Sequence, residues 1–288
     1  MTAHLPPPNW PNRAASQSIP VAPHRWHVQR TGGGPTALLL HGAGASAHTW
    51  APLLQAGNDG WDAIMPDLPG HGFTQSPRGR ARLPDVAADI AALLTHLGAE
   101  PELIIGHSAG GAVALEMIRS GLSNPRKLVI LNGALEDFRG AAGLLFPVMA
   151  RVLALNPLTS FFLPSGAQAM KQARSVISST GSDLPDPLLA PYAKLISQKS
   201  HVDGTLAMMA QWSLADLSRA LPQIDTPTLF IHGAKDEAVG VASARRVADR
   251  MPNADLVLLE GAGHLAHEEA PDQVAFEVRR FCEMTEAN

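Results

Sequence analysis

Short apolar runs alternate along the chain with longer segments in which apolar residues recur every three or four positions. The short runs are typical of buried strands, and the longer segments are typical of amphipathic helices. Strands are predicted in this way at residues 26–30, 37–40, 63–65, 103–105, 127–131, 228–231 and 256–259. Helices are predicted at 84–97, after Gly110, at 242–250 and after Pro271. This alternation predicts a doubly wound, mostly parallel sheet, and such sheets bind ligands outside the carboxyl ends of their strands.

The alternation of strands and helices stops between residues 137 and 216. This segment is helical in pattern, is interrupted by prolines and holds four of the eight Phe and four of the nine Met. Residues 138–212 carry six basic and three acidic side chains, whereas the whole chain has a net charge of −4. A loop of this length without structure would be unusual. We therefore predict an apolar, slightly cationic helical cap at 137–216, inserted into a core made of 25–136 and 217–288, with a proline-rich extended arm at 1–24.

The predicted strand 103–105 runs into Gly106-His107-Ser108-Ala109-Gly110, which a helical pattern follows. The spacing G-x-S-x-G between a strand and a helix is typical of a nucleophile elbow, a sharp turn that exposes the serine hydroxyl. The N–H of Ala109 would lie at the start of the helix, where it has no intrahelical acceptor and is available to an oxyanion. We predict that Ser108 is a catalytic nucleophile; the alternative is a tight turn that carries serine without chemistry.

The glycine-rich loop after strand 37–40 allows two interpretations. The residues from Gly42 to Ala47 loosely match the dinucleotide fingerprint G-x-G-x-x-G/A, with Asp67 closing the next strand. The alternative is the His-Gly loop that accompanies a nucleophile elbow, in which the N–H of Ala43 is the second oxyanion donor. Both interpretations bring bare N–H groups close to an anion, but only the second explains the elbow. Asp67 and the nearby His71 are predicted to shape their loop rather than to act as acid and base.

In chains with such an elbow the acid and the base follow the nucleophile in that order. Asp236 and His264 each follow a late predicted strand, so both fall at the edge of the sheet where Ser108 is exposed. We predict that His264 takes the proton of the serine hydroxyl and that Asp236 holds the imidazole in the required tautomer.

Other residues compete for these two roles. His107 adjoins Ser108, but adjacent side chains in extended backbone diverge. His267 is flanked by acidic residues and is predicted to lie at the surface or to support the site. For the acid, the alternatives are Glu237 and Asp137.

A substrate pocket is predicted beneath the cap. Its candidate residues are His41, His107, Phe138, Phe146, Met208 and Trp212. The spacing of His264, His267 and Glu268 matches neither H-E-x-x-H nor H-x-x-E-H, so no catalytic metal is predicted.

Composition limits the class of protein and the cellular compartment that we expect. With 288 residues, 45% of them hydrophobic, and a net charge of −4, the chain has an ample core and no basic character that would indicate nucleic-acid binding. The single Cys282 fits a reducing compartment. The first 24 residues have no apolar h-region, and no run of about eighteen apolar residues is present. We expect a cytoplasmic protein, with peripheral membrane contact left open.

The motifs together resemble the α/β-hydrolase superfamily over nearly the whole chain after residue 25. The motifs that carry this resemblance are His41-Gly42, residues 67–72, residues 106–110, Asp236 and Gly263-His264. The resemblance implies an α/β-hydrolase fold and a serine hydrolase that needs no cofactor.

A narrower resemblance links the chain to the magnesium-chelatase accessory proteins of bacteriochlorophyll gene clusters. It rests on residues 131–135 with Phe138, on 154–157, on His201, Val202 and Gly204, and on 207–210 and 264–269. It implies a tetrapyrrole-like or other small apolar ligand, a role near magnesium protoporphyrin formation and contact with magnesium-chelatase subunits. The chain lacks the G-x-x-x-x-G-K-[ST] loop of an ATP-driven subunit.

Three functions remain open on the sequence alone. The first is hydrolysis of an ester or related acyl bond through an acyl-enzyme, either in bacteriochlorophyll biosynthesis or as a general carboxylesterase. The second is non-catalytic binding of a porphyrin as an accessory to magnesium chelatase. The third is related chemistry on the same scaffold, such as perhydrolysis or carbon–carbon bond hydrolysis, because fold and triad do not fix the substrate.

Overall fold

An eight-stranded sheet forms the centre of the protein in the computed structural model, which describes residues 5–57, 60–136 and 163–284. The strands in chain order are β1 Ser16–Val21, β2 His24–Gly32, β3 Thr36–Leu40, β4 Asp62–Pro66, β5 Leu103–His107, β6 Lys127–Leu131, β7 Thr228–Gly233 and β8 Ala254–Leu259. Their order across the sheet is β1-β2-β4-β3-β5-β6-β7-β8. The first two pairings are antiparallel and all the others are parallel. The predicted mostly parallel sheet is therefore confirmed.

Helices connect the parallel strands, as the crossover rule requires. In chain order they are α1 Ala51–Gly57, α2 Leu83–Leu97, α3 Ala109–Arg119, α4 Gly166–Ser178, α5 Asp186–Ile196, α6 Lys199–Gln211, α7 Ala215–Ala220, α8 Val241–Ala248, α9 Ala266–Glu269 and α10 Pro271–Met284. Short 3₁₀ turns lie at Arg13–Ala15, Ala47–Trp50 and Leu221–Gln223. In the described ranges, none of the helices combines the length and the apolar character that crossing a bilayer demands.

The core lies on both faces of the sheet, as the alternation of side chains along β3 illustrates. Leu38 and Leu40 are fully buried in the apolar layer that contains α2 and α3. Leu39, between them in sequence, is buried in the opposite layer with α1 and α10. Successive residues of a strand point to opposite faces, so a run of leucines serves both layers. This is the doubly wound arrangement that the sequence predicted.

The amino-terminal segment differs from the predicted extended arm. Residues 16–21 form β1, which pairs with β2 along its whole length from Ser16 opposite Gln29 to Val21 opposite His24. The predicted strand at 26–30 is therefore an interior strand, and β1 is the edge. Prolines are tolerated at sheet edges, which explains how Pro20 fits in β1.

Helices α4, α5 and α6, called here the cap helices, lie between β6 and β7 in the chain. Helices α4 and α5 pack together through a separate apolar cluster that includes Ile177, Leu189 and Tyr192, whereas Met208 of α6 is buried in the main core. Leu265, which follows the predicted base, belongs to the same cluster and joins the cap helices to the core. Residues 137–162 of the predicted cap lie outside the described residues, and the cap boundaries at 137 and 216 stay a prediction.

Candidate active site

The turn between β5 and α3 carries Ser108 in a strained backbone conformation. Its φ of 50° and ψ of −115° are rare for a residue with a side chain. A Cβ on Gly110 would lie 2.0 Å from the Leu40 carbonyl oxygen, and one on Gly106 would lie 2.6 Å from the backbone of Gly111. Gly110 lies too close to the end of β3, and Gly106 too close to the start of α3, for any other residue type at these two positions. The G-x-S-x-G sequence thus forms the sharp turn that its spacing predicted.

Backbone hydrogen bonds hold this turn in position. The Ser108 N–H donates to the Leu131 carbonyl at 2.9 Å, which ties the turn to the end of β6. The Ser108 carbonyl accepts from Gly111 and from Ala134. Ala109 is the first residue of α3, so its N–H has no acceptor within the helix. The Ser108 side chain is half-buried and lines a cavity, whereas Ala109 is buried beside it.

His264 and Asp236 are joined by a direct hydrogen bond. His264 Nδ1 donates to Asp236 Oδ2 at 2.8 Å, and the Asp236 side chain is fully buried. In the neutral imidazole this bond keeps the proton on Nδ1 and leaves the lone pair on Nε2. Asp236 follows β7, and His264 follows β8, so two neighbouring parallel strands bring these residues to the same edge of the sheet.

The carboxylate of Asp236 is held in its ionised form by several donors. Asp236 Oδ1 accepts the backbone N–H groups of Ala238 and Val239, each at 2.8 Å. Asp236 Oδ2 also accepts from Asn132 Nδ2 at 2.8 Å. Burial works against ionisation, but the bonds from His264, Val239 and Asn132 outweigh it and lower the pKa of Asp236. Asn132 is a site residue that the sequence did not reveal, since its only signal is its position after β6.

A cavity of about 480 Å³ opens above this edge of the sheet. On the core side it is lined by Ala43, His107, Ser108 and His264. On the cap side its lining includes Ala173, Ile177, Tyr192, His201, Val202, Leu206 and Met209. Ser108 and His264 therefore face the same space, although no hydrogen bond joins the Ser108 hydroxyl to the His264 ring among the described contacts. Hydrogen bonds of this kind are often long in a protein without ligand and tighten when substrate binds.

The loop after β3 is fixed by the histidine that precedes it. His41 Nδ1 donates to the Gly42 carbonyl at 2.7 Å, and His41 Nε2 accepts the Leu68 N–H at 2.9 Å. The Ala45 N–H also donates to the Gly42 carbonyl, at 3.2 Å. In a planar trans peptide the C=O and N–H groups point in opposite directions. Fixing the Gly42 carbonyl therefore fixes the direction of the Ala43 N–H.

His41 itself does not line the cavity. Its side chain is fully buried, and the desolvation of burial lowers its pKa to about 4, so it is neutral at pH 7. The predicted role of His41 as a pocket residue is corrected to that of a group that positions the loop.

His107 and His267 are both buried, and neither has the position of a base. His107 Nε2 donates to the carbonyl of His264 at 2.9 Å, so it supports the chain that carries the predicted base. The His267 ring lies 4.5 Å from that of His107, centre to centre, and its Nε2 is 2.7 Å from the Thr49 hydroxyl. Desolvation lowers the pKa of His267 to about 3. Of the two alternatives predicted for His267, the surface position is wrong because the side chain is fully buried, and the contact with His107 agrees with a supporting role.

Asp67 and His71 shape their loop, as the sequence predicted. Asp67 Oδ1 accepts the Ala47 N–H at 2.7 Å, and Oδ2 accepts the Phe73 N–H at 2.8 Å and a proton from His27 Nδ1 at 2.7 Å. Burial opposes ionisation, but the contacts with His27 and these N–H groups lower the pKa of Asp67 to about 2. The Asp67 side chain is fully buried and already accepts three hydrogen bonds, so a ribose could not reach it. This removes the basis of the dinucleotide interpretation.

Glu237 and Asp137 are the two alternatives to Asp236 as the acid. Glu237 is exposed, and the described contacts include none between its carboxylate and His264. Asp137 lies outside the described residues.

Two other predicted pocket residues, Met208 and Trp212, do not line the cavity. Met208 is buried in the main core, and Trp212 packs against that core while its Nε1 donates to the Ala81 carbonyl at 2.9 Å. Helical periodicity turns Met208 away from the cavity and its neighbour Met209 towards it. Phe138 and Phe146 lie outside the described residues.

The cavity is less cationic than its cap sequence suggested. In the part of the chain that the structure describes, no Lys, Arg, Asp or Glu side chain lines it. Lys171, Arg174, Lys194 and Lys199 are exposed, and Arg174 and Lys199 form ion pairs with acidic residues of the cap. Arg139 and Arg151 lie outside the described residues.

A buried polar network lies behind the cavity wall. The Thr49 hydroxyl donates to Glu268 Oε1 at 2.6 Å, and the Tyr192 hydroxyl donates to the same oxygen. Desolvation raises the pKa of Glu268 to about 7 and that of Tyr192 well above its usual value. Tyr192 belongs to a cap helix and lines the cavity, so this network joins cap to core. Nothing in the spacing of these residues along the chain signals it.

The described residues contain no group of three or more His, Cys, Asp or Glu side chains arranged to hold a metal ion. The His264 ring is bonded to Asp236, and the His267 ring contacts the Thr49 hydroxyl. The two imidazole rings therefore have different partners.

Comparisons with known proteins identify the family of the chain. A family model described as the alpha/beta hydrolase fold matches residues 35–271. The chain is 41% identical to the "Magnesium-chelatase 30 kDa subunit" of Rhodobacter capsulatus, over 92% of this chain and 94% of that protein. It is 28% identical to a pimeloyl-[acyl-carrier protein] methyl ester esterase of Xanthomonas oryzae pv. oryzae, over 88% of this chain and 98% of that protein. The structure of an esterase from Exiguobacterium antarcticum is similar with a TM-score of 0.74 at 20% identity, over 93% of this chain and 98% of that chain. The chain belongs to the α/β-hydrolase fold family.

Proposed function

We propose that this protein is a serine hydrolase that cleaves an uncharged carboxylic ester through an acyl-enzyme. One observation carries the proposal: the bonded pair of Asp236 and His264 opens onto the same cavity as the strained Ser108. The hydrolase relatives and the fold support this class of reaction, and the triad, oxyanion donors and substrate are our assignments.

In the first half of the reaction, Ser108 Oγ attacks the ester carbonyl carbon while His264 Nε2 takes the hydroxyl proton. Asp236 stabilises the imidazolium that forms, because its carboxylate already accepts the Nδ1 proton at 2.8 Å. The negative charge that develops on the carbonyl oxygen is stabilised by the N–H groups of Ala43 and Ala109. His264 then gives its proton to the departing alkoxide, the C–O bond breaks, and the alcohol leaves.

In the second half, a water molecule replaces the alcohol. His264 takes a proton from water as the hydroxide attacks the acyl carbon, and the proton then passes to Ser108 Oγ as the acid is released. The sum of the two halves is ester plus water giving acid plus alcohol, and Ser108 is regenerated.

The lining of the cavity supports an uncharged substrate. Its walls are mainly aliphatic, and the described lining holds no fixed cation to balance a carboxylate. Burying an unpaired charge in such surroundings is strongly unfavourable. We therefore expect neutral acyl esters to be preferred over esters whose acyl chain ends in a carboxylate.

A fluorophosphonate probe and a pair of aryl esters test the proposal. The purified protein should bind one probe per chain and hydrolyse p-nitrophenyl hexanoate, with kcat/KM at least tenfold above that for the p-nitrophenyl hemiester of adipic acid. Ser108→Ala should abolish both labelling and turnover. Equal labelling of the alanine variant would show that another nucleophile reacts and would overturn the assignment.

A second candidate function is favoured by the name of the relative at 41% identity. In this alternative the chain binds a tetrapyrrole and assists magnesium chelatase without catalysis, within bacteriochlorophyll biosynthesis. Titration of the protein with magnesium protoporphyrin and its methyl ester, followed by absorbance, tests it. Tight binding together with full complementation of a deletion strain by Ser108→Ala would favour this function over hydrolysis.

A further inference from the structure

Cap helix α6 contacts two core loops through the ring of His201. His201 Nδ1 accepts the Gly72 N–H at 3.0 Å, and His201 Nε2 donates to the Gly44 carbonyl at 3.2 Å. Because a backbone N–H donates to Nδ1, the proton of the neutral ring is on Nε2. The ring is buried and also lines the cavity. One cap side chain thus bridges the loops that follow β3 and β4.

The backbone of α6 reinforces this contact about one turn further on. A Cβ on Gly204 would lie 2.1 Å from the Gly70 carbonyl oxygen, so helix and loop touch at a position that only glycine allows. Residues three apart share one face of a helix. His201 and Gly204 therefore dock the same face of α6 onto the core, next to the predicted oxyanion loop.

The contact extends through the loop to the predicted oxyanion donor. His201 holds the carbonyl of the peptide between Gly44 and Ala45, and the N–H of that same peptide donates to the Gly42 carbonyl at 3.2 Å. The Gly42 carbonyl belongs in turn to the peptide whose N–H is that of Ala43. Since each peptide is planar, fixing the first plane constrains the second through the hydrogen bond between them.

We propose that His201 is a positioning residue through which cap helix α6 holds the Ala43 N–H in the direction required by the oxyanion. This inference rests on the ester hydrolysis proposed above. Its consequence is that stabilisation of the transition state depends on a docked cap. Loss of the imidazole should lower kcat more than it changes KM, because the ground-state ester carries little charge on its carbonyl oxygen.

Amide hydrogen exchange tests the structural step without any need for turnover. In His201→Leu, the Ala45 amide should exchange at least tenfold faster than in the unaltered protein, because the plane of its peptide is released. His201→Gln retains one N–H donor and one acceptor and should recover most of the protection. Ser200→Ala, at the exposed neighbouring position of the same helix, is the matched control and should leave exchange unchanged. Unchanged Ala45 exchange in a folded His201→Leu variant would overturn the proposal.

Kinetics with p-nitrophenyl hexanoate test the functional step. We expect kcat of His201→Leu to fall about 30- to 100-fold with KM within threefold, since misplacing an oxyanion donor costs somewhat less than removing one. Gly204→Ala, which pushes α6 from Gly70 without removing the imidazole, should lower kcat in the same way and serves if His201→Leu does not fold. Faster exchange at Ala45 with unchanged kcat in these variants would overturn the positioning role. If the unaltered protein hydrolyses no ester, the proposed function fails, and the exchange data alone then decide whether His201 holds the loop.

Discussion

Three groupings of serine, histidine and aspartate occur among the described residues: one around His27, one around His264, and one formed by Ser76, His24 and Asp89. Of the three, only the grouping around His264 opens onto the cavity. In the first, Ser16 Oγ lies 3.0 Å from His27 Nε2, and His27 Nδ1 lies 2.7 Å from Asp67 Oδ2. This is an unbroken hydrogen-bonded chain in the order expected of a triad. None of its three residues lines the cavity, and Ser16 lies on β1 in ordinary strand backbone.

In the second grouping, Asp236 and His264 are bonded at 2.8 Å, and Ser108 shares a cavity with His264 without a hydrogen bond to it. Ser108 has the strained backbone and stands next to the predicted oxyanion donors. The comparison teaches that the bonded order serine, histidine, aspartate does not identify a catalytic site by itself. Access for a substrate and donors for the developing charge distinguish the second grouping from the first.

The largest expected effect is a loss of folding stability in acid, and it arises around the grouping of Ser16, His27 and Asp67. His41, His48, His71 and His201 all lie near its carboxylate, and burial lowers their pKa values to about 4, 3, 3 and 3. The unfolded chain therefore binds protons first, so the stabilising contribution is complete above about pH 6.5 and is lost as the pH falls towards 4. At pH 5 the loss is on the order of 2 kcal/mol per histidine, or roughly 8 kcal/mol in all, comparable with the whole stability of a domain.

Circular dichroism against pH should accordingly show cooperative unfolding between about pH 6 and pH 4. His71→Leu should reduce the steepness of the transition by about one proton, whereas His96→Gln, at an exposed position, should not change it. A chain that stays folded at pH 3.5 would contradict this expectation.

The next effect separates the two serines. Ser108→Ala should lower kcat/KM for an aryl ester by about 10⁴-fold, since it removes the proposed nucleophile. Ser16→Ala is the matched control: it should leave kcat/KM within twofold and lower the free energy of unfolding by about 1 kcal/mol through the lost hydrogen bond. Comparable loss of activity in both variants would mean that the grouping of Ser16, His27 and Asp67 takes part in the reaction.

The two aspartates should differ in their effect on activity. Asp236→Asn should reduce kcat/KM about 10³-fold, because the amide favours the wrong tautomer of His264. Asp67→Asn breaks a buried network that binds Ala47, Phe73 and His27, so we expect a loss of about 3 kcal/mol in the free energy of unfolding. Calorimetry measures the stability of both variants, and steady-state kinetics measure their kcat/KM. A large loss of activity in a folded Asp67→Asn variant would contradict the expected difference.

The smallest effect concerns Asn132, which donates to the carboxylate of the open pair at 2.8 Å. Asn132→Ala should lower kcat about tenfold, because Asp236 loses one of several donors and keeps the others. An unchanged kcat would show that Asn132 only fills space.

Much of the fold and part of the site follow from local pattern. The runs that became β3, β5, β6 and β7 were recognisable because strands covered on both faces are continuously apolar. The turn at Ser108 was recognisable because close passage of strand and helix requires glycine at fixed offsets. By contrast, the sequence predicts an extended arm where β1 lies, since the alternation of β1 is weak and its pairing with β2 is set by a partner rather than by its own residues.

Sequence alone determined the βα alternation, the elbow and the chain order of Ser108, Asp236 and His264, because these depend on periodicity and on the conformational limits of glycine. Only the tertiary structure decided which polar residues meet: that Asn132 bonds to Asp236 and that His201 reaches the loop after β3. Hydrogen bonds between residues far apart in the chain leave no periodic trace, since each needs only one side chain at one position. For the same reason, the hydrogen-bonded chain of Ser16, His27 and Asp67 became visible only in three dimensions.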